Sequence, residues 1–111
     1  MAYDEGLAQR IRQVLADLEP PGLVEKKMFG GVAFMVQGNL ACGVSKDELM
    51  VRVGPAAHSE VVERPYARPA DMAGRPMKGW VLVAAEGCRA DDNLRAWVQQ
   101  GVNFALSLPP K

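Results

Sequence analysis

The chain contains one histidine and two cysteines, and its thirteen lysines and arginines are matched by thirteen aspartates and glutamates. Each of these shortages removes a class of function. His58 has no Cys, His or paired carboxylate at ligand spacing around it, which supports neither a zinc site nor a Ser-His-Asp arrangement; a surface histidine is the reading. Cys42 and Cys88 do not form a CxxC pair. Zero net charge supplies no whole-molecule field to draw the protein onto nucleic acid or an anionic membrane, so any basic site has to be local. No apolar stretch reaches the length of a membrane span or a signal sequence, and the opening MAYDEG is polar; a protein of the reducing cytoplasm with no membrane association is expected. Gly30 and Gly31 are followed by Val-Ala-Phe-Met-Val and not by the Lys and Ser or Thr that open a phosphate-binding helix, and no crossover helix supports a dinucleotide fingerprint. No catalytic residue, cofactor or metal is expected.

What the chain does carry is regular patterning. At 111 residues and 49% hydrophobic content it can build one packed core, and one domain over 1–111 is expected, without internal repeats. Leu7, Ile11, Val14, Leu15 and Leu18 put an apolar stripe on a helix that begins near Asp4 and ends at Pro20 and Pro21. From Val24 to Val53 the period changes. The short Val-rich runs VEKKMF, VAFMV, LACGV and LMVRV are separated by Gly-Gly, QGN and SKDE, as in an antiparallel meander. Pro55 suits the first turn of a short helix to about Val62, closed by Pro65. The stretch RPYARPADMAGRPMKG is too broken by Pro and Gly for a helix or a central strand and predicts an ordered loop or linker. WVLVA, residues 80–84, is a further strand. Leu94, Trp97, Val98, Val102, Ala105 and Leu106 mark a final helix after Asp91 and Asp92, and Trp80 and Trp97 are expected in one core between them.

Three local features bear on chemistry. The Gly30–Gly31 pair inside a strand pattern predicts a bulge or kink, with one glycine at positive φ. Cys88, near the start of the final helix and beside Arg89, is the best nucleophile candidate, because amide dipoles and positive charge lower a thiol pKa; ordinary packing is the alternative, and Cys42 is core. Arg64, Arg68, Arg75 and Lys78 face a single acid, Asp71, over one short stretch. These basic groups either staple the connection to Asp71 and backbone carbonyls or present a recognition surface to phosphate or to a partner's carboxylates.

KKMFGG with VAFMV, and then ARPADMAGRPMKGWV in the same order further on, resembles the N-terminal domain of the TfoX (Sxy) family of bacterial competence regulators over nearly the whole chain. The resemblance implies an α+β fold: a twisted antiparallel β-sheet meander flanked by an N-terminal helix and C-terminal helices. It also implies a regulatory association, since the family is linked to activation of DNA-uptake genes in concert with a cyclic-AMP receptor protein. Longer members carry a second, helical C-terminal domain; this sequence stops at Pro109, Pro110 and Lys111, so the N-terminal-like domain alone is expected. Lys27, Met28, Phe29, Gly30, Gly31, Arg68, Pro69, Gly74, Arg75, Pro76, Met77, Gly79 and Trp80 match the family signature, which is tied to no reaction. Structural roles are expected for Lys27, Phe29, Gly30, Gly31, Gly74, Pro76, Gly79 and Trp80.

The leading expectation is a non-enzymatic regulatory module acting on a protein partner such as a transcription complex, with Arg68, Arg75 and Lys78 as its partner-binding residues. Direct nucleic-acid binding through Lys26, Lys27 and the Arg64 to Lys78 stretch is a second class, marked by steep salt dependence. A small-ligand binder or enzyme using Cys88 or a pocket near the Arg-Pro stretch is a third, and it lacks a convergent acid–base set.

Overall fold

The computed structural model describes residues 3–28, 31–72 and 75–110, without the side chains of Met28, Asp71, Met72, Arg75, Pro76, Met77 and Lys78. Asp4 starts the first helix: its Oδ1 accepts the Leu7 N–H at 3.1 Å, and Glu5–Leu18 follow as α1. Glu19 closes it at φ 48°, its N–H donating to the Leu15 carbonyl at 2.9 Å, and the two prolines bar any continuation.

Six strands then form one antiparallel sheet: β1 Leu23–Met28, β2 Gly31–Val36, β3 Asn39–Ser45, β4 Glu48–Arg52, β5 Ala67–Met72 and β6 Arg75–Val83, in the order β1-β2-β3-β4-β6-β5. The first four are the predicted meander. Gln37 and Gly38, at φ 53° and 82°, make the two-residue turn whose twist suits the β2–β3 hairpin. Between β4 and β5 lies α2, His58–Val61, shorter than the helix predicted from Pro55 because residues 55–57 form a turn. After β6 come a 3-10 turn, Ala85–Cys88, and α3, Asp91–Ser107.

The Arg-Pro-rich stretch corrects the sequence reading. It is a strand pair, not a loop or linker, and β6 is an interior strand. Whether a proline breaks a strand depends on its neighbours in the sheet. Pro69 lies on β5, the sheet edge, and Pro76 lies where β6 runs beyond β4, whose pairing with β6 extends only from Leu49↔Val83 to Arg52↔Trp80. Neither proline therefore sits between two hydrogen-bonded strands, which is where the missing N–H would be costly. The β5–β6 register also shifts: Pro69 pairs with Val81 but Asp71 with Pro76, so residues 77–80 of β6 stand opposite Ala70 alone.

Alternation along the strands separates two faces. Val32, Phe34, Val36, Cys42, Val44, Leu49, Val51, Val81 and Val83 join the buried side chains of α1, α2 and α3 in one core cluster. A bulge at Ala41 of β3, the extra residue between the pairs Phe34↔Cys42 and Met35↔Leu40, brings that strand's carbonyl against α3. There the helix has Gly101; a Cβ at this position would collide with the Ala41 oxygen. Arg12 of α1 ties helix to sheet through Glu25 of β1 at 2.8 Å and also reaches Glu5 of its own helix at 2.7 Å, while Arg95 of α3 joins the helices through Asp17 of α1 at 2.6 Å. Asn39, buried, donates from Nδ2 to the Pro109 carbonyl at 3.0 Å and holds the chain after α3 against the sheet. Among the described residues no helix is long and apolar enough to cross a membrane.

Candidate functional site

On the sheet face opposite the core, Lys26, Met35, Leu40, Ser45, Glu48, Met50, Arg52, Trp80, Leu82 and Arg68 follow one another across β1 to β5 by register and alternation. The larger apolar ones are only half-buried, whereas their alternation partners Val32, Phe34, Leu49, Val51, Val81 and Val83 are fully buried. Trp80 belongs to this open face. This corrects the expectation of one core holding both tryptophans: Trp97 of α3 is in the core cluster, and Trp80 is not, because it pairs with Arg52 and points away from Val81 and Val51. Arg52 closes the end of β4, its guanidinium 5.2 Å from the Trp80 ring and 5.3 Å from that of Phe104 on α3. Reading LMVRV by period two would have put Arg52 on the face opposite Leu49 and Val51; its stack with Phe104 has no signal in sequence.

Arg68 projects from β5 on the same face and reaches across β6 to the carboxylate of Glu48 on β4, with Nη2 to Oε1 at 2.6 Å and Nη1 to Oε2. Leu82 and Met50 share a row with Arg68, and Glu48 is the next residue of β4 on that face. One expected binding residue is thus engaged by an acid that sequence reasoning did not connect to it. Arg75 opens β6 and Lys78 lies in its register shift; their side chains, and that of Asp71, fall outside the described residues. Of the signature residues, Phe29, Gly30 and Gly74 lie outside the description, Lys27 is exposed on β1, and Pro76 is on β6.

Gly31 differs from expectation in its reason. It takes no positive φ; a side chain is barred because the Val44 carbonyl oxygen of β3 occupies the Cβ position. Among the described signature glycines it is Gly79 that has positive φ, at 92°, and its carbonyl accepts the N–H groups of Val53 at 2.8 Å and Gly54 at 3.1 Å, joining the end of β4 to the shifted part of β6.

Concavities lie beside the helices. A cavity of about 420 Å³ is lined by Arg64, Pro65, Tyr66, Gly87, Asn93, Ala96 and Trp97. A smaller one of about 250 Å³ includes Asp4, Arg10, Asp47 and Cys88. Cys88 ends the 3-10 turn just before α3 begins at Asp91, is buried, and burial pushes its thiol up to about 11. Burial and the raised thiol favour the packing role over the nucleophile, since little thiolate exists at neutral pH. Cys42 is core, its thiol pushed up to about 12 by burial. Among the described residues no three His, Cys, Asp or Glu side chains converge as metal ligands, and the buried Nε2 of His58 has no hydrogen-bond partner.

Residues 13–105 match the TfoX N-terminal domain family, over most of the chain. The chain belongs to that family. As a TfoX N-terminal domain it has its signature divided between β1–β2 at one sheet edge and β5–β6 at the other. Among curated proteins and among solved structures, nothing matches it.

Proposed function

We propose that this TfoX N-terminal domain is a non-catalytic regulatory module that docks a partner protein, a component of a transcription complex, on the open face of its sheet. The observation that carries this reading is the composition of that face. Met35, Met50, Leu82 and Trp80 lie there half-buried, with Arg52 held over the Trp80 ring at 5.2 Å. Methionine, aromatic residues and arginine are the types enriched at the centres of protein interfaces. Arg68, shared with Glu48, borders the apolar rows, and Arg75 and Lys78 follow on β6. A partner with an apolar ridge flanked by carboxylates fits this arrangement, the charges acting mainly on association rate and salt dependence. Family membership supports the regulatory part of the reading.

The test compares pull-downs from the native host with wild-type protein, Leu82→Glu on the open face and Gln13→Glu on the exposed side of α1. Leu82→Glu is expected to lose a partner that wild type and Gln13→Glu both retain, at an unchanged melting temperature. Retention of the same partner by a folded Leu82→Glu protein overturns the docking face; loss of the fold itself assigns Leu82 to the core and overturns it equally.

A further inference from the structure

We infer that the cavity beside Trp97 is a binding site for a small aromatic carboxylate. Its walls come from the turn after α2, the 3-10 turn and α3, so it is separate from the open sheet face and does not rest on the reading above. The volume, about 420 Å³, falls within the roughly 300–1,000 Å³ of sites that enclose small organic molecules.

Charge, shape and strain each point to the ligand. Arg64 is the one charged side chain in the lining. Its guanidinium stands 5.3 Å from the Trp97 ring and donates from Nη1 to Gln100 Oε1 at 3.1 Å, both neutral partners, and among the described residues it makes no ion pair. A planar fork with its charge uncompensated suits a carboxylate. Tyr66, Pro65 and the edge of Trp97 left beside Arg64 give the lining apolar surface for an attached aromatic ring, and Asn93 adds a polar group. Tyr66 is 56% exposed and held at φ 67°, a left-handed conformation that is costly for a tyrosine. The structure enforces it: the Tyr66 carbonyl accepts the Ala84 N–H at 2.9 Å, and Gly87 leaves the ring its place, because a Cβ at Gly87 would stand 2.8 Å from Tyr66 Cβ and from Val83 Cγ1. An exposed aromatic ring kept in a strained backbone beside an uncompensated arginine is accounted for by a ligand that uses both.

The test titrates isotope-labelled protein with benzoate and with indoleacetate, and in parallel with benzamide and inorganic phosphate, following the two indole N–H signals by NMR. The carboxylates are expected to move the Trp97 signal and not that of Trp80, while benzamide and phosphate move neither. Arg64→Gln should weaken binding about tenfold or more with the melting temperature unchanged. Tyr66→Gly should bind severalfold more weakly yet melt at the same or a higher temperature, since it relieves the left-handed strain; a merely structural tyrosine would not separate the two readouts. No movement of Trp97 at millimolar carboxylate overturns the proposal, as does equal binding of benzamide or a response to phosphate alone. If Arg64→Gln melts early, Arg64→Lys keeps the charge and loses the fork; equal affinity for benzoate in that variant overturns it too.

Discussion

Arg12 shows how one side chain joins two elements. Its guanidinium donates to Glu5 within α1 and, through Nε and Nη2, to both carboxylate oxygens of Glu25 on β1. The hydrogen bond from Arg12 is the main cause that holds both carboxyls below their ordinary 4.5, and the same bonds raise the arginine further. A carboxyl lowered in the folded state binds its proton less readily there than in the unfolded chain. Its contribution is therefore complete above the ordinary carboxylate value and is lost as pH falls through the lowered folded values. Arg12→Gln is expected to melt a few degrees below wild type at about pH 7, and the gap should narrow as pH drops below the ordinary 4.5. Thermal melts of both proteins across that range check this; a gap that stays constant with pH would assign the effect of Arg12 to packing of its stem on β1. The effect is modest because both acids remain in contact with water.

The contact of α3 with the sheet turns on Gly101, where the helix crosses the bulged residue Ala41. Two effects of Gly101→Ala oppose each other. Alanine is better than glycine inside a helix by about 1 kcal/mol. Against this, the new Cβ would run into the Ala41 oxygen, with the Ala41 carbonyl carbon at 3.1 Å and Val51 Cγ1 at 3.3 Å, and overpacking of this kind costs about 1–3 kcal/mol. Backbone oxygen cannot swing aside as a flexible side chain does, so the collision is expected to win: Gly101→Ala should lose about 1 kcal/mol or more in urea denaturation. A stabilised variant would mean that α3 lifts from β3 at little cost. In sequence, α1, α3 and the four-strand meander were legible because each rests on local periodicity and its own stop signals, as with Asp4, Pro20 and the Gln37-Gly38 turn. β5 and the first part of β6 were not, because whether Pro69 and Pro76 break a strand depends on which strands flank them, a property of the sheet. The candidate site was legible only in part for the same reason. Local charge marked Arg68 but not Glu48, and nothing near Arg64 in sequence points to Trp97 or Gln100.

The division of the sheet into a covered and an open face makes the two tryptophans a test of the molecule as a whole. Trp97 is 7% exposed and packs in the cluster shared by all three helices and the sheet; Trp80 is half-buried on the open face and stacked with Arg52. Removing a large buried aromatic leaves a cavity as well as losing its burial, so Trp97→Ala should cost roughly 3 kcal/mol or more, a large share of a margin of about 5–15 kcal/mol for a small domain. Trp80→Ala surrenders a cation–π contact worth roughly 0.5–2 kcal/mol and surface that water already reaches in part, so its cost should stay near the lower figure. Urea denaturation of the two variants with a common slope measures the difference directly, since an unchanged slope means the same surface is exposed on unfolding. The order is the informative outcome. Were Trp80→Ala to cost as much as Trp97→Ala, the outer face would be a second core, the half-buried Met50 and Leu82 would be needed for folding, and the docking reading would lose its surface. A small cost for Trp80→Ala combined with loss of the partner that wild type retains would instead leave the covered face to hold the fold and the open face to meet the partner.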